Sequence, residues 1–261
     1  MKIRNHKLVE AVQAYSPNQS GTINPKFIVM HYTAGWSAKS AINTFKNPKS
    51  RVSAQVTISK NGTIYQHVDF NKKAWHAGPS KFGGYSGLNS HSIGIEIVNP
   101  GWLRKVTGGY QDSYGKFHTE KSVGRVVAAK NARVGGGTFY WPLYTEAALD
   151  ATEELTELLI AEYGIIDIVT HEEIDTRGWK TDAGPAFPMN RYRKLLNHRD
   201  ADEDEYIVTA GTLNVRSGPG SNYGVLSELR RGTRISVLDT SGSWAKISDD
   251  GWVHSGYLRR V

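Results

Sequence analysis

Residues 92–98 read SIGIEIV, a strict two-residue alternation. In an extended strand, successive side chains leave opposite faces of the sheet. Ile93, Ile95 and Ile97 therefore share one face, and Ser92, Glu96 and Val98 share the other. Such a strand must lay its isoleucines against an apolar layer while its other face carries a carboxylate. Residues 26–32 (KFIVMHY) and 165–169 (IIDIV) are short, nearly continuous apolar runs, the pattern of strands covered on both faces. Residues 145–163 instead place Ala148, Ala151, Leu155, Leu158 and Leu159 at helical spacing, with Thr145 as cap and Gly164 following. Residues 37–45 form a second helical candidate. Residues 52–59 and 63–68 are strands joined by Asn61-Gly62, a hairpin signal. This mixture predicts an α/β domain: a mixed central β-sheet with flanking helices.

Residues 197–205 (NHRDADEDE) are polar and mostly acidic, and cannot bury much apolar area. They read as a boundary, giving a larger domain at 1–199, a linker at 200–205 and a small domain at 206–261. In the last, short alternating stretches are separated by Ser217-Gly218-Pro219-Gly220, Ser241-Gly242-Ser243 and Asp249-Asp250-Gly251, which predicts a small all-β barrel. Residues 101–141 carry Arg104, Lys105, Lys116, Lys121, Arg125, Lys130 and Arg133 against Asp112 and Glu120, with many glycines and aromatics. They are expected to form an inserted surface loop near the strand ends.

Composition narrows the chemistry. The 261 residues contain no cysteine, which excludes disulfides, thiolate metal sites and a cysteine nucleophile. Any metal must be held by His, Asp or Glu. No run approaches the ~18 apolar residues of a membrane span. The first residues, MKIRNHKLVEAVQAY, lack the apolar core of a secretory signal. The expectation is a protein made in the cytoplasm that acts there or leaves by a route needing no such signal. A net charge of +7 and a pI near 9.4 favour polyanionic partners such as nucleic acid, anionic lipid or acidic wall polymer. No helix-turn-helix, RNA-binding or zinc-finger pattern supports a nucleic-acid partner.

His31 ends one buried-strand run and is followed by Tyr32-Thr-Ala-Gly; His171 ends another. Histidines at two strand ends can converge. Asp182, from the loop after the second strand, adds a carboxylate. Two imidazoles and one carboxylate leave a fourth tetrahedral position open for water, the pattern of a catalytic zinc site. Glu96 is a candidate base for the water proton, and Lys180 a candidate cation beside a developing oxyanion. Taken singly, each has a plain structural reading: a strand-end histidine, a solvated strand glutamate, a surface lysine, a turn aspartate before Ala183-Gly184.

Five stretches in one order change the weighing: HYTAG at 31–35, SAQVTISKNGTIYQHV at 53–68, AWHAG at 74–78, SIGIEIVN at 92–99 and HEEIDTRGWKTDAGP at 171–185. Together they resemble the zinc-dependent N-acetylmuramoyl-L-alanine amidases, the superfamily that includes phage lysozyme-type amidases and peptidoglycan recognition proteins. The resemblance spans about residues 22–197. It implies Zn2+ held by His31, His171 and Asp182, Glu96 as general base, Lys180 on the oxyanion, and His76 at the substrate cleft beside Tyr32. It implies cleavage of the amide between the lactyl group of N-acetylmuramic acid and L-alanine of the stem peptide. Three positions depart from the pattern: Trp179 stands where many relatives have arginine, Ala183 where they have proline, and Gln55, a candidate substrate-binding residue with His76, Tyr32 and Trp179, where histidine or asparagine is common. Trp179 either stacks on substrate or wedges the loop.

LNVRSGPGSNYGVLSEL at 213–229, the later W-x-K-I and GWVHSGYL resemble bacterial SH3-type domains, which commonly attach cell-wall enzymes to peptidoglycan. Candidate wall-binding residues are Tyr223, Trp244 and Tyr257. Trp252 is expected to be buried, and at least half of these four aromatics to serve the core. The expected protein is a monomeric peptidoglycan hydrolase of the phage-lysin kind, with no membrane span and no nucleic-acid partner. Its rivals are a non-catalytic peptidoglycan-binding protein, disfavoured by the complete ligand set, and a cytoplasmic muropeptide-recycling amidase, which has little use for an anchoring module.

Overall fold

The computed structural model describes residues 1–261 apart from Asp204 and Asp249; the side chains of residues 197–205 also lie outside it. The chain forms two compact units, Met1–Arg193 and Lys194–Val261.

The first unit is built on six strands: β1 (Val12–Gln13), β2 (Phe27–Tyr32), β3 (Val56–Ile58), β4 (Ile64–Gln66), β5 (Ser92–Ile97) and β6 (Asp167–Thr170). Their order across the sheet is β6-β2-β5-β3-β4-β1. The first four run parallel, β3 and β4 form an antiparallel hairpin, and β1 runs parallel to β4. The sheet is mixed, as the patterning predicts. β2 and β5 are its centre, and every residue of β2 except Tyr32 is buried, which is why its sequence lacks a polar alternation. In β5, Ile93, Ile95 and Ile97 are fully buried. A one-residue slip would turn all three out of their layer, at a cost of roughly 5–9 kcal/mol. That penalty fixes the face on which Glu96 stands.

Helices α1 (Ala38–Lys46), α2 (Glu120–Val123), α3 (Glu146–Tyr163), α4 (His171–Ile174) and α5 (Met189–Glu203) complete the regular helical structure. In α3 the Thr145 side chain caps the first turn and Gly164 closes the last in a left-handed conformation. Its buried stripe is rotated from the expected one: Thr152 and Thr156 are buried, while Ala151 and Leu158 are only half-buried. Each threonine hydroxyl donates to the carbonyl one turn back, at 2.6 Å, so neither carries an unsatisfied group into the core.

Residues 101–141 do not form the expected surface loop. They fold into a three-stranded sheet (Arg104–Val106, Gly109–Gln111, Phe117–Thr119), helix α2 and a hairpin pairing Val126–Lys130 with Thr138–Pro142. Tyr110, Phe139 and Trp141 are buried. Strands of three to five residues separated by glycines are too short to show a clear period, which hid them.

α5 is helical through Glu203; the side chains of the expected linker at 200–205 fall outside the described residues. In the second unit, a five-stranded and a three-stranded antiparallel sheet enclose Val208, Leu213, Val215, Ala245 and Val253, the expected small all-β fold. No aromatic belongs to that buried cluster. Trp252, expected inside, is half-buried because it alternates with Val253, which takes the inward position.

Candidate active site

In the parallel register Glu96 lies opposite His31, and Thr170 lies opposite Met30. The residue after Thr170 is therefore level with His31, and three adjacent strands bring His171, His31 and Glu96 side by side. His171 begins α4 because the chain turns there. The Thr170 hydroxyl accepts from the Glu173 backbone N–H at 3.2 Å, and the Glu173 carboxylate accepts from the Thr170 N–H at 2.7 Å, a reciprocal capping box.

Asp182 closes the cluster. Its Oδ2 lies 2.8 Å from His31 Nδ1 and 2.9 Å from His171 Nδ1, and the two Nδ1 atoms are 3.0 Å apart. All three residues are buried. Burial would raise the Asp182 carboxyl, but the imidazoles of His171 and His31 facing it outweigh that and hold it far below the carboxylate range. Burial, then the neighbouring His171, pushes His31 down to about 4 against the pull of Asp182.

A cation suits this cluster better than protons do. Two facing Nδ1 atoms cannot both point a proton at one carboxylate oxygen without their protons meeting. One cation satisfies all three lone pairs together. The observed edges of 2.8–3.0 Å are a few tenths short of the ~3.3 Å edge of a tetrahedron with zinc–ligand bonds near 2.05 Å. The donor set, two imidazoles and a carboxylate, is one zinc accepts.

Glu96 stands beside this cluster. Its Oε2 is buried and has no hydrogen-bond partner among the described residues. Burial, then the charge of Asp182, raises its carboxyl well above the usual range, with Lys180 opposing. Lys180 is held by a loop that sequence reasoning left without an anchor. The anchor is Asp175, whose carboxylate is fully buried. It accepts from the backbone N–H groups of Trp179 at 3.0 Å and Lys180 at 3.1 Å, and from Arg177 Nε at 3.1 Å. Arg133, from the segment expected to be a free loop, donates to the Lys180 carbonyl at 2.9 Å. It approaches Asp175 within 3.9 Å. Within HEEID, nothing in the sequence distinguishes Asp175 from Glu172 or Glu173.

One cleft of about 490 Å³ is lined by His31, Tyr32, His76, Glu96, His171, Trp179, Lys180 and Asp182. Trp75, Pro100, Trp102 and Tyr114 add walls that sequence reasoning did not assign. Tyr114 comes from the inserted segment and is 79% exposed. Tyr32 hydrogen-bonds Thr181 through its hydroxyl. Trp179 is 62% exposed, with the Arg177 guanidinium 4.5 Å from its ring centre, so the ring stands at the rim and does not wedge the loop. Gln55 is placed elsewhere. It is fully buried, accepts from the Gly94 N–H at 2.7 Å and donates to the Lys72 carbonyl at 3.0 Å, so its amide serves the sheet.

In the second unit Trp244 and Tyr257 flank His254, with ring centres 5.4 and 5.5 Å from it. Tyr257 is 50% exposed and Tyr223 43%. Tyr223 packs on a turn where a side chain at Gly218 would meet its ring at 2.3 Å.

A mixed α/β sheet that gathers three candidate metal ligands, a buried glutamate and a lysine into one cleft defines a class of α/β domain with a candidate catalytic centre at its strand ends. Within it, the chain belongs to the N-acetylmuramoyl-L-alanine amidase family, whose pattern matches residues 21–185. A bacterial SH3 domain matches residues 211–259. Among curated relatives, the 1,6-anhydro-N-acetylmuramyl-L-alanine amidase AmpD of Salmonella typhimurium is 32% identical over 147 residues, covering 56% of this chain and 58% of the relative. The N-acetylmuramoyl-L-alanine amidase AmiD of Escherichia coli is 31% identical over 172 residues, covering 64% and 51% respectively. The chain thus spans somewhat over half the length of these relatives. The crystal structure of an AmpD derivative superposes with a TM-score of 0.54 at 25% identity, covering 75% of this chain and 99% of that one. No helix among the described residues is long and apolar enough to cross a membrane.

Proposed function

We propose that the first unit hydrolyses the amide between the lactyl group of N-acetylmuramic acid and L-alanine of the stem peptide. The observation that carries this reading is the convergence of His31, His171, Asp182, Glu96 and Lys180 on one cleft. His31, His171 and Asp182 are assigned as zinc ligands. Zinc bound there would lower the pKa of a coordinated water to about 7 and polarise the scissile carbonyl. Glu96 takes the proton of the attacking water and returns it to the departing L-alanine amine; its raised carboxyl suits a group that must be protonated midway. Lys180 supplies positive charge where the carbonyl oxygen becomes an oxyanion. His76, Tyr32 and Trp179 border the space the substrate would occupy. Trp179, exposed at the rim, is placed to stack on a sugar or peptide.

The SH3-type unit supports the intact wall as the substrate, in the manner of a lysin. Its exposed Tyr223 and Tyr257 and its half-buried Trp244 are assigned to wall binding. Residues 1–199 are assigned as the catalytic domain and 206–261 as the anchor. The test is digestion of purified sacculi with and without chelator, alongside soluble anhydro-muropeptides. New L-alanine amino termini that vanish with chelator support the amidase reading; new reducing sugar ends overturn it. Faster turnover of soluble fragments than of sacculi would favour a recycling role over a lysin.

A further inference from the structure

His31 turns its Nδ1 toward Asp182 and His171 and its Nε2 toward His76 Nδ1, at 3.0 Å. The far nitrogen of His76 faces Ser92, 3.4 Å from its hydroxyl oxygen. That hydroxyl lies 2.6 Å from the carbonyl oxygen of Leu88. The direction of every hydrogen bond in this chain follows from its outer end. A carbonyl only accepts, so the Ser92 proton is committed to Leu88. The Ser92 oxygen then offers His76 only a lone pair, and His76 Nε2 must carry the proton. A neutral imidazole holds one proton, so His76 Nδ1 is an acceptor. His31 Nε2 is therefore the donor, and the bare lone pair of His31 sits on Nδ1, facing the metal cluster.

We propose that His76 is a positioning residue which, with Ser92 and the Leu88 carbonyl, presets the tautomer of His31 so that Nδ1 is free to ligate the metal. This rests on the zinc-site reading above. Two further features support it. The ring of His76 is seated on Gly94, where a side-chain carbon would lie 2.6 Å from His76 Cγ, so β5 carries a glycine beneath it. His171 Nε2, the equivalent outer atom of the other imidazole, is buried and has no partner among the described residues. One ligand is thus oriented through a hydrogen-bond chain and the other through the turn into α4. Partners of ligating histidines fix ring orientation and raise ligand basicity, and their loss costs about 10- to 100-fold in metal affinity.

The test compares His76→Asn with His76→Leu, side chains of similar shape of which only asparagine can place an acceptor near His31 Nε2. Zinc affinity is measured by competition with a chromophoric chelator, and the His31 tautomer by imidazole 15N shifts in the metal-free protein. The expected result is an Nε2-protonated His31 in the wild type, near-wild-type zinc affinity in His76→Asn, and a loss of about 10- to 100-fold in His76→Leu. Equal affinity in the two variants, or an Nδ1-protonated His31 in the wild type, overturns the proposal. A wild type that takes up no zinc overturns instead the metal-site reading on which it rests. Ser92→Ala serves as the second variant if His76→Leu does not fold, and unaltered tautomer and affinity there also overturn the proposal.

Discussion

Replacing Asp175 with asparagine removes one negative charge from the loop that presents Trp179, Lys180 and Asp182. The carboxylate is buried and accepts from two backbone N–H groups and one guanidinium, with the second guanidinium, of Arg133, at 3.9 Å. Burial would raise its carboxyl, but those hydrogen bonds prevail and bring it from 3.8 to about 2. At 1.36 kcal/mol per unit, that displacement corresponds to roughly 2 kcal/mol of folded-state stabilisation of the charged form. Hydrogen bonds to a charged group, each worth about 1.5–3 kcal/mol and not additive, agree in scale. Asparagine keeps one acceptor for the loop N–H groups but turns an amide toward Arg177 and Arg133. Asp175→Asn is therefore expected to lose about 2 kcal/mol, or roughly 4–8 °C in the melting temperature of a unit this size. The pH dependence has a definite sign. A carboxyl lowered on folding stabilises fully above its unfolded value near 3.8 and loses that contribution as pH falls through about 2. The gap between wild type and variant should be constant from pH 5 to 8 and shrink by about half near pH 3. Denaturant unfolding at pH 7 and pH 3 measures it, with turnover on sacculi as the readout for Lys180. Equal stability of the two proteins at pH 7, or a gap that widens on acidification, refutes the reasoning.

Glu96→Gln preserves size and should keep bound zinc while turnover falls by about 10²- to 10⁴-fold; activity within a few-fold of wild type removes Glu96 from the chemistry. Gly94→Ala drives a methyl to 2.6 Å from the His76 ring, so denaturant unfolding should show a loss of about 1–3 kcal/mol. Zinc affinity should fall with it, and no change in either quantity would mean that the ring is free to move. Trp244→Ala with Tyr257→Ala should weaken sacculus pull-down of the whole chain without altering turnover of soluble muropeptide; undiminished pull-down would place wall binding elsewhere.

Where a pattern is local, the sequence carried it. The alternation of 92–97 told which face bears Glu96, the cap and closing glycine bounded α3, and three candidate ligands stood at strand ends or in the loop beyond. The positions that stayed hidden depend on partners far along the chain. Arg133 looked like one more cation of a basic loop until folding brought it to the Lys180 carbonyl, 47 residues away. Gln55 looked like a cleft residue, but just ahead of β3 its buried amide accepts from the Gly94 N–H of β5 and donates to the Lys72 carbonyl. Asp175 was indistinguishable from the acids beside it, because what separates them is burial and not identity. Trp252 and Val253 are adjacent and both apolar, and only the closure of the small barrel decides which points inward.

Period and capping chemistry are properties of neighbouring residues, so strand faces, helix ends and the ligand types were determined by the sequence itself. The candidate metal site joins His31 to His171 across 140 residues. Its 3 Å spacing comes from the register of β6, β2 and β5, and Lys180 is anchored beside it by Asp175 and Arg133. Only packing of the whole sheet sets that register, because the free energy that selects it lies in buried faces that no single segment can form alone.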